Sequence, residues 1–153
     1  MPTVIPPSPR RAVLYGGFVA GSLDVLVAAL INQVDPLVIL RAIASGLLGR
    51  AAFAGGLPVS LLGLLLQWAM SLLIAAIFVG AAQRLAWMRQ RWILAGLACG
   101  VVVFVVMEFV VVPLSAANNP HFTALSLLEN VLAMLLYGLI IAFFARRVRG
   151  AMH

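Results

Sequence analysis

The sequence predicts an all-α integral membrane protein: a four-helix transmembrane bundle with one short helix that is re-entrant or interfacial. Of the 153 residues, 65% are hydrophobic and only 9% are charged, too little polar surface for a soluble domain of this size. Four apolar stretches each reach the roughly 20 residues that a helix needs to cross a bilayer. Arginines lie at the ends of these stretches, where lipid headgroups would meet them.

The chain divides into two short tails and one membrane domain. Residues 1–11 hold four of the eight prolines, and we expect them to form a disordered cytoplasmic tail. Arg10-Arg11 before an apolar run also matches a twin-arginine signal, but Asp24 interrupts that run and further spans follow. The four-span domain covers residues 12–147, and 148–153 form a second cytoplasmic tail. The predicted spans are 12–33, 58–83, 92–114 and 122–145.

Glycine pairs within the spans indicate how the helices pack. Gly17 and Gly21 lie four residues apart in the first span, as Gly96 and Gly100 do in the third. Small residues at this spacing form a helix face that lets two backbones approach closely. We expect both faces to lie in helix–helix contacts.

The segment 36–54 differs from the spans. Asp35 is followed by proline, a typical N-cap and first helical residue, so a helix is expected to begin there. Only eight residues lie between Arg41 and Arg50, so the apolar stretch between them is too short to cross a membrane. Two charges within the segment also oppose a membrane span. Their nine-residue offset puts them on opposite sides of a helix, against a simple amphipathic surface helix. A short re-entrant or interfacial helix accommodates both if it breaks at a glycine, Gly46 or Gly49.

The distribution of arginine predicts the orientation. The first tail, the loop between the second and third spans, and the C-terminal segment hold eight of the ten arginines, and only Arg41 and Arg50 lie on the other side. The positive-inside rule places both termini in the cytoplasm. The absence of lysine fits a bacterial protein, and we expect the inner membrane. The net charge is +6, and we expect the basic residues to contact lipid headgroups and not nucleic acid.

Each predicted span contains one polar residue at a similar depth. Gln67, Glu108 and Glu129 each lie seventeen residues from an arginine at the cytoplasmic edge, or about 25 Å along a helix. Asp24 lies thirteen residues from Arg11, or about 20 Å. The sequence therefore predicts a polar layer in the outer half of the membrane.

Counter-charges for such a layer can come only from the outer side. We hypothesise that the 36–54 segment brings Arg41 or Arg50 to a carboxylate of the layer, that of Asp24, Glu108 or Glu129. The alternative is that the carboxylates lie at the interface.

Glu129 illustrates that alternative, because Ser126-x-x-Glu129 is a capping-box pattern. If the carboxylates are ion-paired or lie at the interface, the polar layer has a structural role. If they are neither, the layer lines a functional cavity for protons, ions or a small ligand.

No residue pattern for catalysis, metals or cofactors appears in the spans. The chain has one cysteine, Cys99, and two histidines, His121 and His153, neither of them within a predicted span. This excludes bis-histidine haem ligation and zinc or di-iron sites inside the bundle. We expect no catalytic residue, no cofactor and no enzymatic activity.

Two stretches, RAIASGLLGRAAFAGG followed by LLGLLLQW, and AGLACGVVVFVVMEFVVVPLSAA, resemble a group of small bacterial inner-membrane proteins of unknown function. The chain is more distantly similar to YagU-type inner-membrane proteins. The resemblance covers about residues 12–147 and implies a four-span protein with no established catalytic residues. In that group a histidine often occupies the position of Gln67 and an asparagine that of Glu108, so this chain departs from the pattern within the polar layer.

The sequence favours a non-catalytic multi-pass protein, an accessory or assembly subunit of a larger membrane complex. Short loops and glycine faces suit packing against other transmembrane helices, in a homo-oligomer or a larger complex. The alternative is a proton- or ion-coupled small transporter or channel that uses the outer-half carboxylates.

Overall fold

The computed structural model describes residues 8–114, 116 and 123–148, which are almost entirely helical. Four helices are long and apolar enough to cross a membrane: Pro9–Asn32, Leu57–Arg84, Trp92–Leu114 and Ala124–Ala145. In chain order the elements are α1 (Pro9–Asn32), α2 (Pro36–Leu48), α3 (Ala51–Ala54), α4 (Leu57–Arg84), α5 (Ala86–Gln90), α6 (Trp92–Val106), a π-helical turn (Met107–Val111), α7 (Val112–Leu114) and α8 (Ala124–Ala145).

The first helix begins three residues before the predicted boundary. Ser8 is its N-cap, and the Ser8 hydroxyl accepts a hydrogen bond from the Arg11 amide at 3.4 Å. Pro9 follows as the first helical residue, where its missing N–H costs nothing. The predicted disordered tail is therefore wrong for residues 9–11. The rest of it, 1–7, and most of the C-terminal tail, 149–153, lie outside the described residues.

The short second helix has the predicted cap and break. Asp35 Oδ1 accepts from the Leu37 amide at 2.7 Å, and the helix continues to Leu48. Gly49 then takes a φ of 61°, a left-handed conformation that glycine adopts without a steric penalty. Of the two glycines considered, it is therefore Gly49 that breaks the segment.

The third long helix contains a widened turn that the sequence pattern did not indicate. At Met107–Val111 the helix is π-helical, and the Val112 amide donates to the Met107 carbonyl five residues earlier. Pro113 follows directly, has no N–H and crowds the carbonyl four residues before it. The π-helical turn lies directly before this proline, and Glu108 belongs to it.

The fourth long helix begins with a capping box at Thr123. The Thr123 hydroxyl accepts from the Ser126 amide at 3.2 Å, and the Ser126 hydroxyl accepts from the Thr123 amide at 3.0 Å. The predicted capping box, Ser126-x-x-Glu129, is therefore wrong, because Ser126 is the N3 residue of this box and not its cap. Glu129 lies one turn further into the helix.

The long helices pack in the order α6, α8, α1, α4, and α2 lies against α4. Glycines lie at these contacts as predicted. A Cβ on Gly17 would come within 2.7 Å of Leu72 on α4, and a Cβ on Gly96 within 2.9 Å of Ala142 on α8. Both distances are shorter than van der Waals contact, so only glycine permits this helix spacing.

The second and third long helices, α4 and α6, make almost no direct contact with each other. The short helix α5 joins them, and Arg89 on α5 donates to the carbonyls of Ala82 and Gln83 in the last turn of α4, which caps that helix end. Beyond this link the two long helices leave a groove of about 470 Å³ between them.

Candidate functional site

The centre of the bundle contains a hydrogen bond between two polar residues of the predicted layer. Gln67 Nε2 on α4 donates to Asp24 Oδ2 on α1 at 2.8 Å and to the Gly21 carbonyl at 3.3 Å. The structure therefore brings Asp24 and Gln67 together, whereas their depth in a membrane stays a prediction. Gly21 has no side chain between the helices, which lets the amide reach the α1 backbone.

A second pair of polar side chains lies one turn away. The hydroxyl of Tyr137 on α8 donates to Ser71 Oγ on α4 at 2.8 Å, and Ser71 donates to the Gly17 carbonyl on α1 at 2.7 Å. Both side chains are buried. This chain of hydrogen bonds connects three of the four long helices through one cluster.

Trp68 adds a bond between α1 and α4 on the side next to this cluster. Its indole N–H donates to the Ser22 hydroxyl at 3.1 Å, and its ring packs edge-to-face on Phe18 with centroids 5.2 Å apart. Aromatic pairs in this geometry stabilise a contact by about 0.5–1.5 kcal/mol beyond buried area. The two helices are therefore held at a fixed rotation about their axes, which aims Asp24 at α4.

A cavity of about 30 Å³ adjoins Asp24 inside the bundle. All four long helices contribute to its wall, which includes Asp24, Gln67, Ser71 and Tyr137. The volume exceeds the roughly 10–15 Å³ that a single water occupies by this kind of measure. The cavity therefore has room for one small polar group.

The polar groups around this cavity present acceptors and no spare donor. Both amide hydrogens of Gln67 and the hydroxyl hydrogens of Ser71 and Tyr137 are engaged in the bonds above. Asp24 Oδ1 and Gln67 Oε1 accept no hydrogen bond from any described residue. In that part of the chain no fully buried side-chain oxygen lacks a partner, so neither of these two oxygens is fully buried.

The cavity and the groove between α4 and α6 share part of their walls. Four apolar residues line both of them: Met70, Ile74, Val103 and Met107. The groove continues along α4 to Ala81 and along α6 to Ala95. The cavity at Asp24 therefore lies next to the apolar groove.

The other two carboxylates of the predicted layer lie apart from this cavity. Neither Glu108 nor Glu129 lines it, and both side chains are partly exposed. Within the described residues neither forms a side-chain hydrogen bond or ion pair. The structure thus brings together Asp24 and Gln67 of the four polar residues.

Arg41 pairs with a hydroxyl instead of a carboxylate. Its Nε donates to Ser60 Oγ on α4 at 3.3 Å, and Ser60 donates to the Leu37 carbonyl at 3.2 Å. Within the described residues no cationic side chain contacts Asp24. The described contacts of Arg41 are thus with a hydroxyl, and the hypothesis that Arg41 or Arg50 meets a carboxylate of the layer stays a prediction. Arg50 lies at the turn before α3 with an exposed side chain.

Sequence reasoning missed Ser71, Tyr137 and the groove. Ser71 follows Gln67 by four residues, and Gly17, Gly21 and Asp24 share one face of α1, so helical spacing could have grouped them. Tyr137 has no such local signal, because only the packing of α8 on α1 brings it to Ser71. The groove exists because α4 and α6 do not pack against each other, and no local sequence pattern predicts which helices pack together.

Metal ligands and known relatives add no further site. Across residues 8–114, 116 and 123–148, no three His, Cys, Asp or Glu side chains are grouped closely enough to share a metal ion. His121 and His153 lie outside the described residues.

Comparisons with protein families, with curated proteins and with solved structures find no match. The resemblance to YagU-type proteins stays a prediction from its motifs.

Proposed function

We propose that this chain is a small proton- or ion-coupled carrier of the bacterial inner membrane. The observation that carries the proposal is the acceptor-only cavity at Asp24, which all four long helices line. A carboxylate in apolar surroundings is stable only with a proton or a positive partner, since an uncompensated charge there is very costly. No cationic side chain among the described residues supplies that partner, which leaves the role to a proton or a cation.

The membrane setting and orientation are parts of this proposal. Four apolar helices of 22–28 residues support a multi-pass protein. Arg84, Arg89 and Arg91 lie at one end of the bundle, around α5, and Arg146 and Arg147 follow α8 at that same end. By the positive-inside rule this end faces the cytoplasm, together with both termini.

We take the groove as the side from which the cavity is entered, because Met70 and Met107 belong to the walls of both. A bare cation is costly in such apolar surroundings, so a cation that enters here carries an apolar body of its own. The titratable side chains contributed by neighbouring helices are Tyr137, already bonded to Ser71, and Cys99, which lines the groove. Among the residues that the structure describes, Asp24 is thus the one carboxylate at this cavity, and carriage would alternate proton and cation on it.

Proteoliposomes that contain the purified chain test the proposal. An internal pH dye should report a protein-dependent proton flux when a cation gradient is imposed. Asp24→Asn should reduce that flux to the rate of empty liposomes. Glu129→Gln is the matched control, because it neutralises a carboxylate outside the cavity and should leave the flux unchanged. Equal fluxes in Asp24→Asn and the unmodified chain would contradict the proposal.

The second candidate is the accessory or assembly subunit that the sequence favours. It is supported by the third long helix, Trp92–Leu114. Only 6% of the residues in the most apolar 18-residue stretch of this helix are buried inside the chain's own bundle. That face has room for transmembrane helices of a partner. A native pull-down after mild solubilisation tests this function: another membrane protein should co-purify at fixed stoichiometry, and an isolated chain would contradict it.

A further inference from the structure

We propose that the groove and cavity together bind a hydrophobic primary ammonium. Its charged head would lie at Asp24, and its apolar body would lie between α4 and α6. This inference rests on the proposed carrier function and names the substrate class for it.

The groove has the size and surface of a site for an apolar ligand. Its volume of about 470 Å³ falls within the roughly 300–1,000 Å³ typical of small-molecule pockets. Its walls include exposed apolar side chains: Leu73 and Ile77 on α4 are 56% and 65% exposed, and Val102 on α6 is 60% exposed. A hydrophobic body placed there covers these three side chains.

The cavity selects the chemistry of the head group. Among the residues that line it, Asp24 Oδ1 and Gln67 Oε1 are acceptors without a described hydrogen-bond donor, and the donors of Gln67, Ser71 and Tyr137 are already engaged. The head must therefore donate hydrogen bonds, and the carboxylate favours a positive charge. A neutral carbonyl or quinone ring offers only further acceptors, which would be left unpaired.

The size of the cavity selects among cations. About 30 Å³ admits a compact group close to the size of one water. A primary ammonium is compact and carries three N–H donors on a point charge. A planar guanidinium is larger, and a trimethylammonium has no N–H at all. The primary ammonium is the cation that matches both the space and the acceptors.

The apolar body would lie directly beside this head position. Met70, Ile74, Val103 and Met107 belong to the walls of both spaces. From Ile74 to Ala81 the groove follows α4 for seven residues, or about 10 Å. That length accommodates a short alkyl chain.

Binding to the full chain in lipid nanodiscs tests the inference with three matched probes. Hexylammonium carries charge and donors, hexan-1-ol keeps a donor without charge, and hexyltrimethylammonium keeps the charge without donors. Isothermal titration should find hexylammonium bound about tenfold or more tightly than either analogue, since charge-assisted hydrogen bonds are lost in both. Asp24→Asn should weaken hexylammonium by a similar factor.

A pair of tryptophan variants tests the position of the apolar body. Leu73→Trp fills the groove, whereas Leu132→Trp on α8 adds the same bulk at a residue outside it with nearly equal exposure, 55% against 56%. Leu73→Trp should weaken hexylammonium by about tenfold, and Leu132→Trp should leave it unchanged. This pair keeps the inference testable if Asp24→Asn fails to fold.

The outcomes separate this inference from the carrier function. Equal binding of hexan-1-ol, or equal effects of the two tryptophan variants, would overturn the ammonium site. So would a cross-link from Cys99, which lines the groove, to a helix of another polypeptide in native membranes. An Asp24-dependent proton flux without hexylammonium binding would overturn this inference alone. Loss of both would overturn the carrier function too.

Discussion

Gln67 Nε2 lies 2.8 Å from Asp24 Oδ2 and joins α4 to α1 at the centre of the bundle. Forty-three residues separate the two side chains in the sequence, and no described cation accompanies the carboxylate. The bond therefore both stabilises the α1–α4 contact and leaves Asp24 with one oxygen available. These two consequences make separable predictions.

The Asp24–Gln67 pair should show a measurable coupling energy. In a double-mutant cycle with Asp24→Leu and Gln67→Leu, each of which removes the bond, we expect a coupling of about 1–2 kcal/mol, in the upper range for hydrogen bonds in membrane proteins. Reversible unfolding in mixed micelles measures it. Gln83→Leu is the control on the same helix, because the Gln83 side chain lies outside the cavity. A coupling near zero would mean that the bond does not contribute to stability.

Two glycines in long helices should respond to alanine with opposite signs. A Cβ on Gly138 would lie 2.6 Å from the Gly100 amide nitrogen, a backbone atom that cannot rotate away, so Gly138→Ala should cost about 1–3 kcal/mol. A Cβ on Gly80 meets nothing within 4 Å, and Gly80→Ala should stabilise its helix by up to about 1 kcal/mol. Unfolding midpoints of both variants measure this. A destabilising Gly80→Ala would contradict the packing described.

The basic end of the bundle contains a cation–π contact that should stabilise the α6–α8 pair. The Arg146 guanidinium lies 4.5 Å from the Trp92 ring centroid, and that ring packs against Phe143 at 6.0 Å. Trp92→Phe keeps an aromatic ring but weakens the attraction, so it should lower the free energy of unfolding by about 0.5–1 kcal/mol.

Arg146→Gln provides the complementary variant for that contact. If the cation–π attraction carries the effect, Trp92→Phe should cost less in the Arg146→Gln background than in the unmodified chain. Thermal unfolding of the four chains measures this difference. Equal costs in both backgrounds would show that Trp92 acts through apolar packing alone.

The proposed orientation predicts which thiols an impermeant reagent reaches. In a Cys99→Ser background, Val34→Cys lies between α1 and α2, and Gln90→Cys lies at the end of α5; both positions are exposed. Because the arginine-rich end should face the cytoplasm, a charged maleimide added to intact cells should label Val34→Cys only. Lysed cells should label both. Labelling of Gln90→Cys in intact cells would reverse the orientation.

Helix positions could be predicted closely because their signals are local. The structure begins α4 at Leu57 and ends the third long helix at Leu114, within one residue of the predictions. Proline and capping residues mark these ends within a few positions of the chain. The errors arose where competing local signals exist, as at Thr123, which caps α8 in place of the expected Ser126. The π-helical turn before Pro113 depends on strain that apolar patterning does not reveal.

The sequence by itself determined that four apolar helices exist and that each carries a polar residue, since length, hydropathy and caps depend on neighbouring residues alone. Only the tertiary structure decided which polar residues meet. Asp24 bonds Gln67 and not an arginine, and Glu108 and Glu129 lie elsewhere. The reason is physical: the rotation and neighbours of each helix follow from close packing at glycines and small residues across the whole bundle. The same packing separates α4 from α6 and opens the groove.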